Sequence, residues 1–190
     1  MLPVWSHYAN ENWCMIGYHS VSVLTDAMIK SNPGFDYSRA LKAAVTTSNQ
    51  RFYEGLGAYL DYQFVPENLS GNSVSKTLEY AYDDWCIAQM AKKLGQDSLC
   101  GIYQKRAAFY KNQFDSSIGF MRPRMSDGSF KKEFDVLSTH GQGFIEGNAW
   151  NYSLYVPQDP KSLMELMGGE KRFIEHLDSL FTMSLPDKYF

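Results

Sequence analysis

The stretch from Val74 to Leu94 sets the terms for the rest of the chain. Val74, Leu78, Ala81, Trp85, Ala88 and Ala91 recur at helical spacing and form one apolar stripe, while Tyr80, Ile87 and Met90 lie off it. A helix that is apolar on more than one side has to be covered on more than one side, so the segment predicts a helix packed among other helices. Gly95 follows in the position where helices end in a left-handed residue, and Asp97-Ser98 opens the next helix, expected to run to about Phe114. If the surrounding architecture is incomplete, the Val74 to Leu94 helix is expected to be the one left short of partners.

The same period runs from Cys14 to Lys30 through Met15, Tyr18, Leu24 and Met28, and Asn32-Pro33-Gly34 stops it. A second helix opens at Asp36 as its N-cap and fades near Asn49-Gln50. Gly55 to Gly71, with two early glycines, Pro66 and a terminal Asn-Leu-Ser-Gly, reads as a structured loop. Ser117 to Phe130 reads as a loop or short hairpin, and Leu137 to Gly147 as a polar loop punctuated by Gly141, Gly143 and Gly147. Helices resume from Asn148 to Val156, from Asp159-Pro160 to Gly168-Gly169 and from Lys171 to Thr182. Roughly seven helices on short connections, with no convincing parallel strand, make an all-α architecture of antiparallel helical hairpins, and long polar loops between doubly apolar helices suit a toroid of paired helices.

Composition narrows the function classes. The 190 residues carry 18 Lys and Arg against 21 Asp and Glu, a formal charge of −3, which sets aside a nucleic-acid binder held by a basic surface. No apolar run approaches the ~18 residues of a membrane span, and the N-terminal residues show no signal peptide. Cys14, Cys86 and Cys100 lack the paired spacing of a zinc ribbon or redox motif. The aromatic share, 15% of the chain, is high enough to need a reason beyond core filling.

Three clusters set acids or amides beside an indole: Asn10-Glu11-Asn12-Trp13-Cys14, Asp83-Asp84-Trp85-Cys86 and Glu146-Gly147-Asn148-Ala149-Trp150. Sugar sites need this mixture, because aromatic faces cover the C–H patches of a pyranose while acids and amides bond its hydroxyls. Glycoside hydrolysis adds a demand for two carboxyl groups about the scissile bond. Each cluster also has a plainer reading. Asp83-Asp84 on a long helix suits a solvated pair or a cap for a neighbouring loop, and Glu11 and Glu146 at loop-to-helix junctions suit helix N-termini. Glu146, wedged among three glycines, divides evenly between the two. His7, His19, His140 and His176 are scattered without zinc spacing. Arg122-Pro123-Arg124 fits a loop brace against Asp127 or Glu133 better than an anion site. A P-loop, a dinucleotide fingerprint and G-x-S-x-G are absent, which sets aside phosphoryl and hydride transfer.

Taken together, Leu2-Pro3-Val4-Trp5, Asn10-Glu11, Cys14 through His19, Ser73 through Trp85, Gly119 through Arg124 and Glu146-Gly147-Asn148-Ala149-Trp150 resemble the catalytic domain of glycoside hydrolase family 92, the calcium-dependent exo-α-mannosidases. The resemblance runs over essentially the whole chain, and Glu79-Tyr80-Ala81-Tyr82-Asp83-Asp84-Trp85 is its most specific part. It implies a parent with an N-terminal β-sandwich and an (α/α)6 barrel, of which residues 1–190 are expected to be an internal part, the sandwich and the C-terminal remainder of the barrel being absent. The implied reaction is inverting release of terminal mannose, α-1,2-linked, from N-glycans or yeast-type mannans, with Glu146 as general acid; indole surface beside Glu146 would shield its carboxyl from water, which suits a proton donor. Asn148 and Trp150 are expected to position the acid or line the site, and Asn10, Glu11 and Trp85 to share its face.

Calcium is the implied cofactor, with no residue here named as a ligand. The family's Trp-Asp motif is expected upstream, and its Gly-Asn-Glu-Pro loop and the acidic pair supplying the base downstream, so this segment alone is expected to be inactive. A periplasmic or secreted bacterial parent and mannose-containing glycans complete the picture. A reading of another class is a helical carbohydrate-binding or scaffold module that keeps the fold without the reaction. A third, a different (α/α)6 glycosidase, requires Asp83 or Asp84 as a second catalytic carboxylate.

Overall fold

The computed structural model describes residues 1–189 apart from Ser6 and Ala9. The buried helix that the apolar pattern demands is α4, Ser73–Lys93, and fifteen of its twenty-one residues are buried. Two cores meet on it. One joins Tyr80 and, in its C-terminal half, Ile87, Met90 and Ala91 to α1 (Ser20–Ile29), α2 (Tyr37–Thr47), α3 (Leu56–Tyr62) and α5 (Asp97–Ala107). The other joins Val74, Leu78 and Ala81 in its N-terminal half to Tyr110, the strands β1 (Phe114–Asp115) and β2 (Phe120–Met121), α6 (Ala149–Tyr152) and α7 (Pro160–Leu166). The amphipathic α8 (Glu170–Thr182) packs on α7. Apart from the antiparallel β1–β2 pair, in register Phe114 to Met121 and Asp115 to Phe120, the architecture of the described residues is helical. Among the described residues no helix is long and apolar enough to cross a membrane.

Local chemistry explains the helix ends. Asp36 caps α2 by accepting from the Arg39 N–H at 3.0 Å, and Asp159 caps α7 from the Ser162 N–H at 3.3 Å with Pro160 in the first turn. Gly95, at φ +68°, ends α4: its N–H reaches the Lys92 carbonyl and the Gln96 N–H reaches Ala91, which satisfies the last carbonyls.

The departures from the sequence reading are local. The first helix begins at Ser20 instead of Cys14, because Trp13 and Gly17 sit at φ +59° and +84° and bend the chain out of helical geometry. Gly55 to Gly71 contains a helix, α3. Its Gly55 is the left-handed residue preceding the first turn, and Gly57 lies where a Cβ would come within 2.6 Å of the Arg51 carbonyl, so these glycines serve a tight entry into the helix. α5 stops at Ala107 and a 3-10 turn, Phe109–Gln113, replaces its last stretch, while the helix expected over Asn148 to Val156 shrinks to the four residues of α6.

The expectation that the Val74 to Leu94 helix lacks partners is also corrected, since α1, α2, α5 and α6 cover it. The bare face belongs to α8, which buries no residue and leaves Ile174 and Phe181 47% and 83% exposed.

Candidate active site

Glu146 is exposed and sits in left-handed backbone, at φ +50°. For a non-glycine residue that conformation costs about 1–2 kcal/mol and persists only where flanking residues enforce it. They do so on both sides. The Gly143 carbonyl accepts from the Val74 and Ser75 N–H groups at 3.0 and 3.2 Å, using donors that the start of α4 leaves over, and the Ile145 N–H donates to the Ser75 hydroxyl at 3.1 Å. Gly143 can lie this close because it has no side chain: a Cβ would meet Pro123 at 2.5 Å. Downstream, the Asn148 side chain caps α6, accepting from the Trp150 and Asn151 N–H groups at 3.0 and 3.3 Å, and its amide donates to the Leu137 carbonyl at 3.1 Å. An exposed carboxyl is thereby held on a short tip between two fixed points.

The indole expected to shield Glu146 is engaged elsewhere. Trp150 stacks on His176 at 4.4 Å between ring centroids and meets Phe120 edge-on at 4.9 Å. Together with Asn148 it lines a cavity of about 230 Å³ closed by Leu180 and Met183. Trp85 stacks on Tyr82 and lines a different cavity, of about 120 Å³, with Gln104 and Gln158. Asn10 is exposed and bridges to His7 through two backbone hydrogen bonds. Glu11 organises its own loop: its two oxygens accept from the Val4, Asn12 and Trp13 N–H groups at 2.6, 2.8 and 2.9 Å. Among the described residues no hydrogen bond or ring contact ties Asn10, Glu11 or Trp85 to Glu146. Trp13, packed on Tyr53 and Phe52, is half exposed beside Glu11.

Asp83 and Asp84 are fully buried, which removes the reading of a solvated pair and leaves neither open to a ligand. Asp84 accepts from Arg106, Tyr59 and Tyr18; burial pushes its carboxyl up to about 6 against the pull of Arg106 and Tyr59, so it is ionised at neutral pH. Asp83 accepts from the Tyr18 N–H at 2.9 Å and, at 2.9 Å, meets Nδ1 of His19. The other ring nitrogen of His19, Nε2, lies 2.8 Å from Glu79, whose second oxygen accepts from the Tyr152 hydroxyl at 3.1 Å. Arg122 and Arg124 do brace their loop, with Asp115, Lys131 and Gly128 as partners in place of Asp127 and Glu133.

The His19–Glu79–Tyr152 group escaped the sequence reading. His19 and Glu79 are 60 positions apart, and each alone looks like an ordinary polar residue on a helical stretch. Burial by itself would lower the pKa of His19, but Asp83 and Glu79 outweigh it and hold the ring protonated up to about 10. In the unfolded chain the ring loses its proton near 6.5. The folded state therefore keeps a proton that the unfolded state gives up, and the stability this contributes is complete below ~6.5 and lost as the pH rises through about 10. Urea unfolding between pH 6.5 and 10 should show stability falling by at most about 1.4 kcal/mol per pH unit, with His19→Gln flattening the slope. An equally steep slope in the variant would remove His19 as its source.

Calcium calls for several hard oxygen ligands around one point. Among the described residues no group of three or more His, Cys, Asp or Glu side chains could hold a metal ion, and in the His19 cluster both ring nitrogens are already bonded to carboxylates. These residues do not fit a calcium cradle.

The family description of the glycosyl hydrolase family 92 catalytic domain matches residues 1–189. A family GH92 α-mannosidase from Bacteroides thetaiotaomicron, solved in complex with mannoimidazole, superposes with a TM-score of 0.93 at 44% identity, covering 98% of this chain and 25% of that one. An inverting family GH92 mannosidase from B. thetaiotaomicron VPI-5482 gives 0.89 at 35% identity over 98% of this chain and 26% of its own. A protein of Arthroderma benhamiae described as an uncharacterized secreted glycosidase is 25% identical over 202 residues, 86% of this chain and 26% of that protein. The chain thus spans about a quarter of the length of each relative. With the catalytic-domain description matched from residue 1 to residue 189 and more than a third of positions shared with two solved mannosidases, this chain belongs to glycosyl hydrolase family 92.

Proposed function

We propose that the chain is part of the (α/α)6 catalytic domain of an exo-acting, inverting α-mannosidase, with Glu146 as general acid. The observation that carries the assignment is the exposed Glu146 held in strained backbone by the bonds on both sides of it, since enforced strain clusters at active sites. Family membership and relatives whose names include α-mannosidase and inverting mannosidase support the substrate class and the stereochemistry. In a single displacement Glu146 gives its proton to the glycosidic oxygen, which departs as the hydroxyl of the next sugar. Water adds to the anomeric carbon from the opposite face, and a base about 6.5–9.5 Å from the acid takes its proton. Asn148 positions the acid by capping α6, and Trp150 lines the neighbouring cavity. Asn10, Glu11 and Trp85 belong to the walls of the wider cleft, Glu11 by shaping the loop that presents Trp13. Terminal α-1,2-linked mannose of secreted or periplasmic glycan breakdown is the substrate we assign. Calcium dependence is carried by family resemblance alone.

Proton NMR of α-1,2-mannobiose hydrolysis by the full-length protein tests this reading. β-Mannose is expected as the first-formed product, with slower turnover of the α-1,3, α-1,4 and α-1,6 isomers. First-formed α-mannose would overturn inversion, and saccharide binding without any release would favour the non-catalytic module.

A further inference from the structure

We propose that Glu79 is a positioning residue for the Glu146 tip, acting through Tyr152; this rests on the reading of Glu146 as the acid. Three segments far apart in sequence meet at the Glu79 carboxylate. One oxygen faces Nε2 of His19 at 2.8 Å, and the other accepts from the Tyr152 hydroxyl at 3.1 Å. The His19 ring is itself clamped from behind by Asp83, which is fully buried and tied to the Tyr18 N–H. Glu79, 12% exposed, is thus fixed in rotamer before it reaches Tyr152.

Tyr152 carries that fixity to the acid. It is the last residue of α6, the helix Asn148 caps, and its ring lies where a Cβ on Gly147 would come within 3.2 Å, directly beside the residue that follows Glu146. The negative charge of Glu146 is among those that raise the pKa of Tyr152, after burial and Glu79, which puts the two within electrostatic reach. The start of α4 holds the upstream side of the tip through Gly143 and Ile145, and the hydrogen bond from Tyr152 to Glu79 adds a tie further along α4 on its downstream side. Misplacing a proton donor is costly: a displacement on the order of 1 Å can lose about 100-fold in rate.

The test compares Tyr152→Phe, Glu79→Ala and Glu79→Gln in the full-length protein, on α-1,2-mannobiose and on a dinitrophenyl α-mannoside whose leaving group needs no proton. Tyr152→Phe keeps the ring against Gly147 and removes only the hydroxyl, so it tests the bond even if Glu79→Ala fails to fold. Glu79→Gln can still accept from Tyr152, so it should restore most of the loss. The expected result is a kcat on mannobiose lowered roughly 10- to 100-fold in Tyr152→Phe and Glu79→Ala, KM within about twofold, and the dinitrophenyl substrate nearly unaffected. A structural cross-link alone would depress both substrates together, and that outcome, or unchanged kcat on mannobiose, overturns the proposal while a dead Glu146→Gln keeps the acid assignment. If Glu146→Gln is itself fully active, both fall.

Discussion

Glu146→Gln in the full-length protein is expected to lower kcat on α-1,2-mannobiose by roughly 10²- to 10⁴-fold, the usual contribution of a positioned general acid, while hydrolysis of a dinitrophenyl α-mannoside falls far less. The substitution isolates proton donation. Gln matches Glu in size, and none of the bonds that hold the tip, from the Gly143 carbonyl, the Ile145 N–H or the Asn148 cap, involves the Glu146 side chain. An exposed side chain with no hydrogen-bond or ion-pair partner among the described residues contributes little to stability, so unfolding should move by no more than about 0.5 kcal/mol. The leaving group then separates the roles: a sugar hydroxylate must be protonated as it departs, whereas dinitrophenolate is stable without a proton. Equal losses on both substrates would assign Glu146 a role other than acid, and undiminished activity on mannobiose would remove it from the mechanism.

How far the residues alone reveal this arrangement depends on the range of the interaction that decides it. α4 follows from its own pattern because burial on both sides is written into spacing, and α2 and α7 follow from Asp36 and Asp159, whose caps act within three residues. Glycine misleads where its purpose is contact and not flexibility. Gly55 and Gly57 look like breakers, yet they admit the start of α3 against Ser70 and the Arg51 backbone respectively. At the site, Glu146 and Asn148 stand out because the motif is contiguous. The protection of Glu146 by Trp150 does not follow, since the indole finds better partners in Phe120 and His176 from distant segments. The His19–Glu79–Tyr152 group and the Asp84–Arg106 pair are set entirely by tertiary packing, and no local spacing encodes them.

That second pair gives the largest expected effect on stability. Arg106 bonds both oxygens of Asp84 at 2.8 Å, donates to the Ser48 carbonyl at 3.0 Å and lies over the Tyr103 ring at 4.8 Å, tying α5 to α4 and to the end of α2. Arg106→Met keeps the volume of the stem but leaves a carboxylate at 0% exposure with only the Tyr59 and Tyr18 hydroxyls. Breaking a buried pair from one side costs about 3–5 kcal/mol, a large share of the 5–15 kcal/mol typical of a folded domain, and a urea titration should read it directly. The pH dependence identifies the cause. Without Arg106 the Asp84 carboxyl rises further above its value of about 6, so the folded variant holds a proton that the unfolded chain releases near 3.8, and stability declines as pH rises through that interval. With Arg106 in place the same decline ends near 6, so the loss in Arg106→Met should be smaller at pH 5 than at pH 8 and grow with pH above about 6, and Asp84→Asn added to Arg106→Met should recover part of it at neutral pH because no charge is then buried alone. A loss of the same size at pH 5 and pH 8 would assign the effect to packing against Tyr103 and Tyr59 instead of to the stranded carboxylate.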